Sequence, residues 1–322
     1  MGSVRSSNLG RTGFSISEVG FGAWTIGGEA NAVGNLGAVD DDVSIAAIHC
    51  ALELGVNWID TAPGYGCGHS ERVVGRAIAG LDEPPLIFSK CGFVWDEGGN
   101  VRVDIRPETI RRDVHESLER LGVETIDLYQ IHWVEPENDS EIEDAWSVLA
   151  ELRDAGKVRA IGVSNFDIGQ IERCEAIARV DTLQPPYSLV ERGIERELLV
   201  HCDAVDMGVM IYSPMQSGLL TGRFTRERID ALAEDDARKF DPNFEEPLLT
   251  QNLAIVDELI RLGQTVGLRP GQLAIAWTLV NPAVDGAIVG FRTPDQVEDI
   301  LAGTDFAIDA GLVNQLAALS AD

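Results

Sequence analysis

Eight short runs rich in β-branched and aromatic residues recur along the chain, at residues 18–24, 57–62, 86–91, 125–132, 158–165, 182–188, 209–214 and 284–290. Segments of helical periodicity lie between or after them, at 43–54, 107–121, 141–155, 194–205, 249–266 and 294–301. Pro107 stands at a helix start, where its missing N–H costs nothing. Gly156 is a stop signal behind the 141–155 segment. The alternation constrains the fold more than any other feature, because strands separated by helices pair in parallel. Eight such units in 322 residues predict an α/β fold, a single (β/α)8 TIM barrel over residues 1–322. No linker or low-complexity tract divides the chain into two domains.

Two parts fall outside the repeat. Residues 6–17 carry the turn Gly10-Arg11-Thr12-Gly13 between short extended runs. They read as an N-terminal hairpin placed to plug the bottom of the barrel. Residues 221–248 form a long polar insertion between the seventh and eighth strands, with Glu234, Asp235 and Asp236 together; loops of that length are usually functional or mobile. The glycine-rich stretches do not make a dinucleotide fingerprint: Gly64-Tyr65-Gly66-Cys67-Gly68 has His69 where a glycine is required, and Gly20-Phe21-Gly22 has Thr25.

Charge excludes one class of partner. The chain has 53 acidic and 25 basic residues, a net −28, and nucleic-acid binding needs a basic face. No apolar run approaches the roughly 18 residues of a membrane helix, and MGSVRSSNLG lacks the apolar core of a secretory signal. Gly2 and Ser6 match a myristoylation pattern, but the match is short and no lipid anchor is expected. The five cysteines, Cys50, Cys67, Cys91, Cys174 and Cys202, form no C-x-x-C pair. They point to a reducing cytoplasm and no structural zinc. Cys67 and Cys91 read as packing residues before reactive thiols. The acidic excess, with three lysines among the 25 basic residues, is the composition of a salt-adapted protein, although a GC-rich genome would also favour arginine over lysine.

In a barrel of this kind the site lies where strands end and β/α loops begin. Asp60 ends the second strand, Lys90 the third and His132 the fourth. Ser164 and Asn165 end the fifth, Gln184 lies in the sixth and Ser213 ends the seventh. Tyr65 sits on the loop after the second strand, over the same mouth. Singly, an aspartate is most often a turn former, a lysine a solvated charge and a histidine a satisfied core residue. Together they supply an acid–base set. A free phenol has a pKa of about 10, and a neighbouring ammonium such as Lys90 is expected to lower it. Asp60 would hold Lys90, and His132 would bond the substrate oxygen beside Tyr65. With no metal-ligand cluster or nucleophile elbow in the sequence, such chemistry calls for a cofactor that brings its own hydride.

These stretches resemble the aldo-keto reductase superfamily. NWIDTAPGYGCGHSERVVG is similar to its first signature, with Asp60, Tyr65, Glu71 and Gly75 in place; FSKCG and QIHW carry its lysine and histidine. VRAIGVSNF resembles its second signature, and LQPPYSL, IYSPMQSGLLTGR and IVGFRTPDQVED its cofactor segments. The resemblance runs from about Gly20 to about Asp299 and implies an NADP(H)-dependent reductase of aldehydes or ketones. It gives Tyr65, Asp60, Lys90 and His132 the catalysis. It gives Ser164, Asn165 and Gln184 the nicotinamide carboxamide, and Tyr212, beside Ser213 and Pro214, the ring stack. Met215, Ser217, Leu219 and Arg223 would line the pyrophosphate. Gly290, Arg292, Gln296 and Asp299 would hold the adenosine end, Arg223 and Arg292 being the local cations and the helix near Pro294 adding its dipole. Trp24 is placed with the cofactor contacts. With Trp95 and Trp133 it also reads as an apolar wall around a small-molecule carbonyl substrate.

The chain departs from the family's pattern in three places. Phe291-Arg292-Thr293 stands where Lys-Ser is common, Ile300 replaces a frequent asparagine, and Val134 follows Trp133 where proline is usual. Related potassium-channel β-subunits, cofactor-sensing regulators on this barrel, commonly have asparagine in place of His132. The histidine therefore favours catalysis. A metal-dependent hydrolase would need ligand clusters at strand ends, which five scattered histidines do not supply. Substrate identity and oligomeric state are left open by the sequence.

Overall fold

The computed structural model describes residues 4–28, 34, 36–302 and 305–320; Gly2 of the myristoylation pattern lies outside them. Eight parallel strands close into a barrel in chain order: Val19–Gly22, Trp58–Asp60, Leu86–Cys91, Ile126–Ile131, Val158–Ser164, Thr182–Gln184, Gly208–Tyr212 and Gly286–Gly290. The last pairs with the first, Ile288 opposite Gly20, and completes the ring. All eight expected strands are present. The sixth is shorter than its apolar run because Pro185 and Pro186 have no N–H to give the ladder.

Helices connect the strands, among them Asp41–Glu53, His69–Ile78, Pro107–Leu121, Ile142–Asp154 and Ile168–Glu175. The expected helix 194–205 begins only at Leu198. Pro270–Leu279 is a helix with no amphipathic signature. Leu273, Ala274, Ile275, Ala276 and Trp277 are all buried, so no polar face marks a period.

The barrel interior follows from strand alternation, since every second side chain points to the same face. Trp58, Phe88, Leu128, Ala160, Met210 and Ile288 point inward and form one apolar cluster. Two residues further along the same strands stand Asp60, Lys90, Gln130 and Tyr212. The pleat that fills the lower barrel with hydrocarbon therefore delivers polar groups one layer higher. Gly20 belongs to this design: a Cβ there would lie 2.2 Å from the Trp58 indole.

The N-terminal strands Ser6–Asn8 and Ser15–Ser17 pair antiparallel, and Leu9, Phe14 and Ile16 join the interior cluster from below. This is the expected plug. Gly10, at φ +43°, turns the chain so closely against the seventh strand that a Cβ would sit 2.3 Å from the Gly208 nitrogen. Asp285 fastens the turn, accepting from the N–H groups of Gly10 at 3.1 Å and Val209 at 3.0 Å. The 221–248 insertion contains the short helix Arg226–Asp230 and 3-10 turns at Ala237–Phe240 and Pro242–Phe244. It has its own apolar cluster around Phe224.

Candidate active site

The polar layer is tightly connected. The Lys90 Nζ donates to Asp60 Oδ1 at 2.6 Å, to the Thr61 carbonyl at 3.0 Å and to the Tyr65 hydroxyl at 3.2 Å. Gln184 Nε2 donates to the other Asp60 oxygen at 2.8 Å. Lys90 and Asp60 are buried. Burial pushes the lysine below its ordinary value and the aspartate above its own, while their mutual attraction opposes both shifts. The three donors around Lys90 Nζ's ammonium are thus fully used, and Tyr65 is one of the groups that receives them.

The Tyr65 phenol does not follow the sequence-based expectation. Its pKa lies well above the usual 10, because burial disfavours the phenolate and the Asp60 charge adds to that. The ammonium at 3.2 Å does not offset them. The residue is therefore a phenol that keeps its proton until something else draws it off. His132 stands beside it, ring centroids 5.5 Å apart and nearly perpendicular; Phe93 packs edge-on from the other side at 4.7 Å. Burial and the Lys90 charge hold the imidazole well below its usual pKa, so it is neutral. Its Nδ1 is buried without a hydrogen-bond partner.

A second network lies next to the first. Ser164 Oγ donates to the Gln184 carbonyl at 2.9 Å, and Asn165 Nδ2 donates to the Ser164 Oγ at 3.0 Å and the His132 carbonyl at 3.1 Å. The Tyr212 hydroxyl donates to Asn165 Oδ1 at 2.8 Å. Asn165, Ser213 and Ser217 are held at positive φ of 61°, 56° and 50°. Non-glycine residues seldom adopt that region unless a surrounding site over-determines it.

Most of these groups face one cavity of about 610 Å³. Asp60, Tyr65, His132, Ser164, Asn165 and Gln184 line its inner end, with Trp24 and Trp133 at the wall. Tyr212, Ser213, Pro214, Met215 and Ser217 line its flank, and Arg223, Gly290, Arg292, Gln296 and Asp299 its far end. Lys90 lies behind this surface, bonded to both Asp60 and Tyr65, which line it.

Two expected residues are elsewhere. The Leu219 side chain is fully buried in the apolar cluster of the insertion, because a leucine opening a 3-10 turn over Phe224 is drawn into that core. Trp95 lies under the Arg120 guanidinium, 5.9 Å from its ring centre, away from the carbonyl end. The two arginines also differ from free cations. Arg223 is paired with Asp299 at 2.7 Å. Arg292 donates to the carbonyls of Leu36 at 2.7 Å, Gly37 at 3.3 Å and Ala38. Thr293 caps the helix Pro294–Leu301, its side chain accepting from Gln296 N.

Phe93, Arg228, Arg238 and Arg269 also line the cavity and were not foreseen. Phe93 had a faint signal, three residues after Lys90; the arginines lie in or beside irregular chain with none. The thiols are packing groups: Cys91 is fully buried, and burial raises both its pKa and that of Cys67. Among the described residues, no group of histidine, cysteine, aspartate and glutamate side chains is arranged to hold a metal ion, and no helix is long and apolar enough to cross a membrane.

Known proteins share this fold. The sequence profile of the Aldo/keto reductase family matches residues 18–321. The chain is 37% identical to the aldo-keto reductase YhdN of Bacillus subtilis, over 94% of this chain and 90% of that one. It is 34% identical to an NADH-specific methylglyoxal reductase of Escherichia coli, over 96% and 97%. The solved structure of a glycerol dehydrogenase from Gluconobacter oxydans superposes with a TM-score of 0.86 at 36% identity, covering 99% of this chain and 95% of that one. With the closed barrel and the match along nearly its whole length, the chain belongs to the aldo/keto reductase family, oxidoreductases that act on carbonyl compounds with nicotinamide cofactors.

Proposed function

We propose that the protein is an NADP(H)-dependent reductase of small uncharged aldehydes or ketones, with Tyr65 as general acid. The observation that carries this reading is the Tyr65 hydroxyl, protonated, 3.2 Å from the Lys90 ammonium and beside a neutral His132 at the inner end of the cavity. When bound, the reduced nicotinamide supplies a hydride to the carbonyl carbon. The chain does the rest. A His132 ring N–H donates to the carbonyl oxygen and orients it. Tyr65 gives its proton to that oxygen as negative charge develops there. The Lys90 ammonium stabilises the phenolate left behind, and Asp60 with Gln184 keeps Lys90 in position.

The residues present fit a nicotinamide dinucleotide. Trp24 Nε1 is buried without a partner at the cavity wall, an orphan donor of the kind a ligand satisfies. The Ser164–Asn165 network offers amide-binding groups at one end, and guanidiniums gather at the other. Relatives divide on the cofactor. One is named an NADH-specific methylglyoxal reductase and another, in Schizosaccharomyces pombe, carries NADP(+) in its name. Five cavity arginines, Arg223, Arg228, Arg238, Arg269 and Arg292, favour the more anionic NADP(H). Around the acid, Trp24, Phe93 and Trp133 make apolar walls, and Lys90, the cation there, is buried and paired. That favours neutral carbonyls over carboxylate-bearing ones. The experiment is NADPH oxidation with a panel of aldehydes and ketones. Tyr65→Phe should lose at least about 10²-fold in turnover while cofactor affinity stays the same. Near wild-type turnover in that variant would remove Tyr65 from the acid role.

A further inference from the structure

Glu71 and Gly75 stand close behind Tyr65 in the sequence and take no part in the acid chemistry described above. Glu71 lies in the first turn of the helix His69–Ile78 and is fully buried. Its Oε1 accepts from Ser89 Oγ at 2.6 Å, and its Oε2 accepts from Arg120 Nε at 2.6 Å. Ser89 precedes Lys90 on the third barrel strand. Alternate side chains of a strand face opposite ways. Lys90 therefore points into the barrel while Ser89 points out to the helices, where Glu71 holds it. Arg120 comes from the helix Pro107–Leu121, and two glycines let it approach. A Cβ at Gly75 would lie 2.6 Å from the Arg120 carbonyl oxygen, and one at Gly68 2.7 Å from Arg120 Cδ.

The same helix start holds the loop of the acid. Ser70 N donates to the Tyr65 carbonyl at 3.1 Å. Ser70 Oγ donates to the Ala23 carbonyl at 2.9 Å and is hydrogen-bonded to Thr61 Oγ1 at 2.9 Å. Two consecutive residues thus fasten the two halves of the acid pair: Ser70 the loop of Tyr65, Glu71 the strand of Lys90. Of the three contacts that Lys90 Nζ makes, the one to the Tyr65 hydroxyl is the longest, at 3.2 Å. It has the most to lose from a shift between loop and strand. Stability alone does not account for Glu71, because a buried ion pair is often replaceable by apolar residues of similar volume without loss. An apolar pair cannot accept the Ser89 hydroxyl.

We propose that Glu71 is a positioning residue, which clips the strand of Lys90 to the helix start that carries the Tyr65 loop and so sets the separation of ammonium and phenol. This rests on the reading of Tyr65 as general acid. The test uses the full chain with its reduced nicotinamide cofactor and an aldehyde that it turns over. Ser89→Ala removes the tie and leaves the Glu71–Arg120 pair in place. Glu71→Met/Arg120→Met replaces that pair by hydrocarbon of similar volume. Each should lower kcat about 10-fold or more, since small misplacements of reacting groups are costly. KM and the cofactor Kd should stay within about 2-fold of wild type. Ser89→Thr keeps the hydroxyl and should keep wild-type turnover. In a Tyr65→Phe background the same variants should lose less than about 2-fold further, because a phenol that is absent cannot be misplaced. Losses by equal factors in both backgrounds, or wild-type kcat in Ser89→Ala, make Glu71 a structural residue and overturn the proposal. If the double variant does not fold, Ser89→Ala decides alone. Wild-type turnover in Tyr65→Phe by itself is a separate result: it overturns the acid reading, and this proposal with it.

Discussion

At the scale of single residues, the pKa of Tyr65 decides how the site responds to pH. A phenol pushed up by burial and by Asp60 is protonated throughout the neutral range, and protonated is the form that donates. Carbonyl reduction should therefore be flat from about pH 6 to about pH 9 and fall only above that, as the phenol ionises. Alcohol oxidation needs the phenolate and should rise over the same interval. A reduction profile with a midpoint near pH 7 would show that another group is the acid. The identities of Asp60, Tyr65, Lys90 and His132 were legible because three stand at or beside strand ends and the fourth on the adjoining loop. The direction of the Tyr65 shift was not. Spacing reveals that a lysine is near, but only the packed structure shows how much water is gone. Arg292 illustrates the same gap: its charge was readable, its engagement with the carbonyls of Leu36, Gly37 and Ala38 was not.

At the scale of elements, the hairpin under the barrel is held by Asp285 as well as by hydrocarbon. Asp285→Ala would strip acceptors from the Gly10 and Val209 N–H groups. The cost should be about 1–3 kcal/mol, a loss of roughly 2–6 °C in melting temperature. Asp285→Asn should behave differently. Burial pushes the native carboxyl up to about 6, above the roughly 3.9 of an unfolded aspartate. Its contribution is thus full below about pH 4 and is lost as pH rises through about 6. The asparagine keeps an acceptor and has no charge to desolvate, so that variant should melt above wild type at pH 8, with the gap closing towards pH 4. Equal melting at both pH values would mean that burial does not perturb Asp285. The strands were legible because each is a run bounded by turn residues. The strands Phe93–Trp95 and Val101–Val103 were not, three residues being too few to establish alternation, and Pro270–Leu279 hid because it is apolar all round.

At the scale of the molecule, 53 acidic residues face 25 basic ones, and most of the excess must be on the surface because charges are rarely buried unpaired. Like charges repel and destabilise the compact state. Salt shortens the range of that repulsion, from a Debye length of about 10 Å at 0.1 M to about 3 Å at 1 M. The melting temperature should rise between about 0.1 M and about 2 M KCl. A flat or falling curve, with full activity at low salt, would sever the composition from any adaptation to salt. The barrel class was legible from eight repeats in 322 residues. The local reversal of sign inside the cavity was not, since Arg228 and Arg238 meet Arg292 only after the insertion folds back over the strand ends.

The closure of the ring has a consequence for the chain as it leaves the ribosome. The first barrel strand has the last as a neighbour, and Gly10 of the hairpin waits for Asp285, 275 positions later. At about 5–20 residues per second, that interval is on the order of half a minute. For that time Leu9, Phe14 and Ile16 have no finished barrel to enter. The hairpin's apolar side chains therefore gain their native burial only when the final strand emerges.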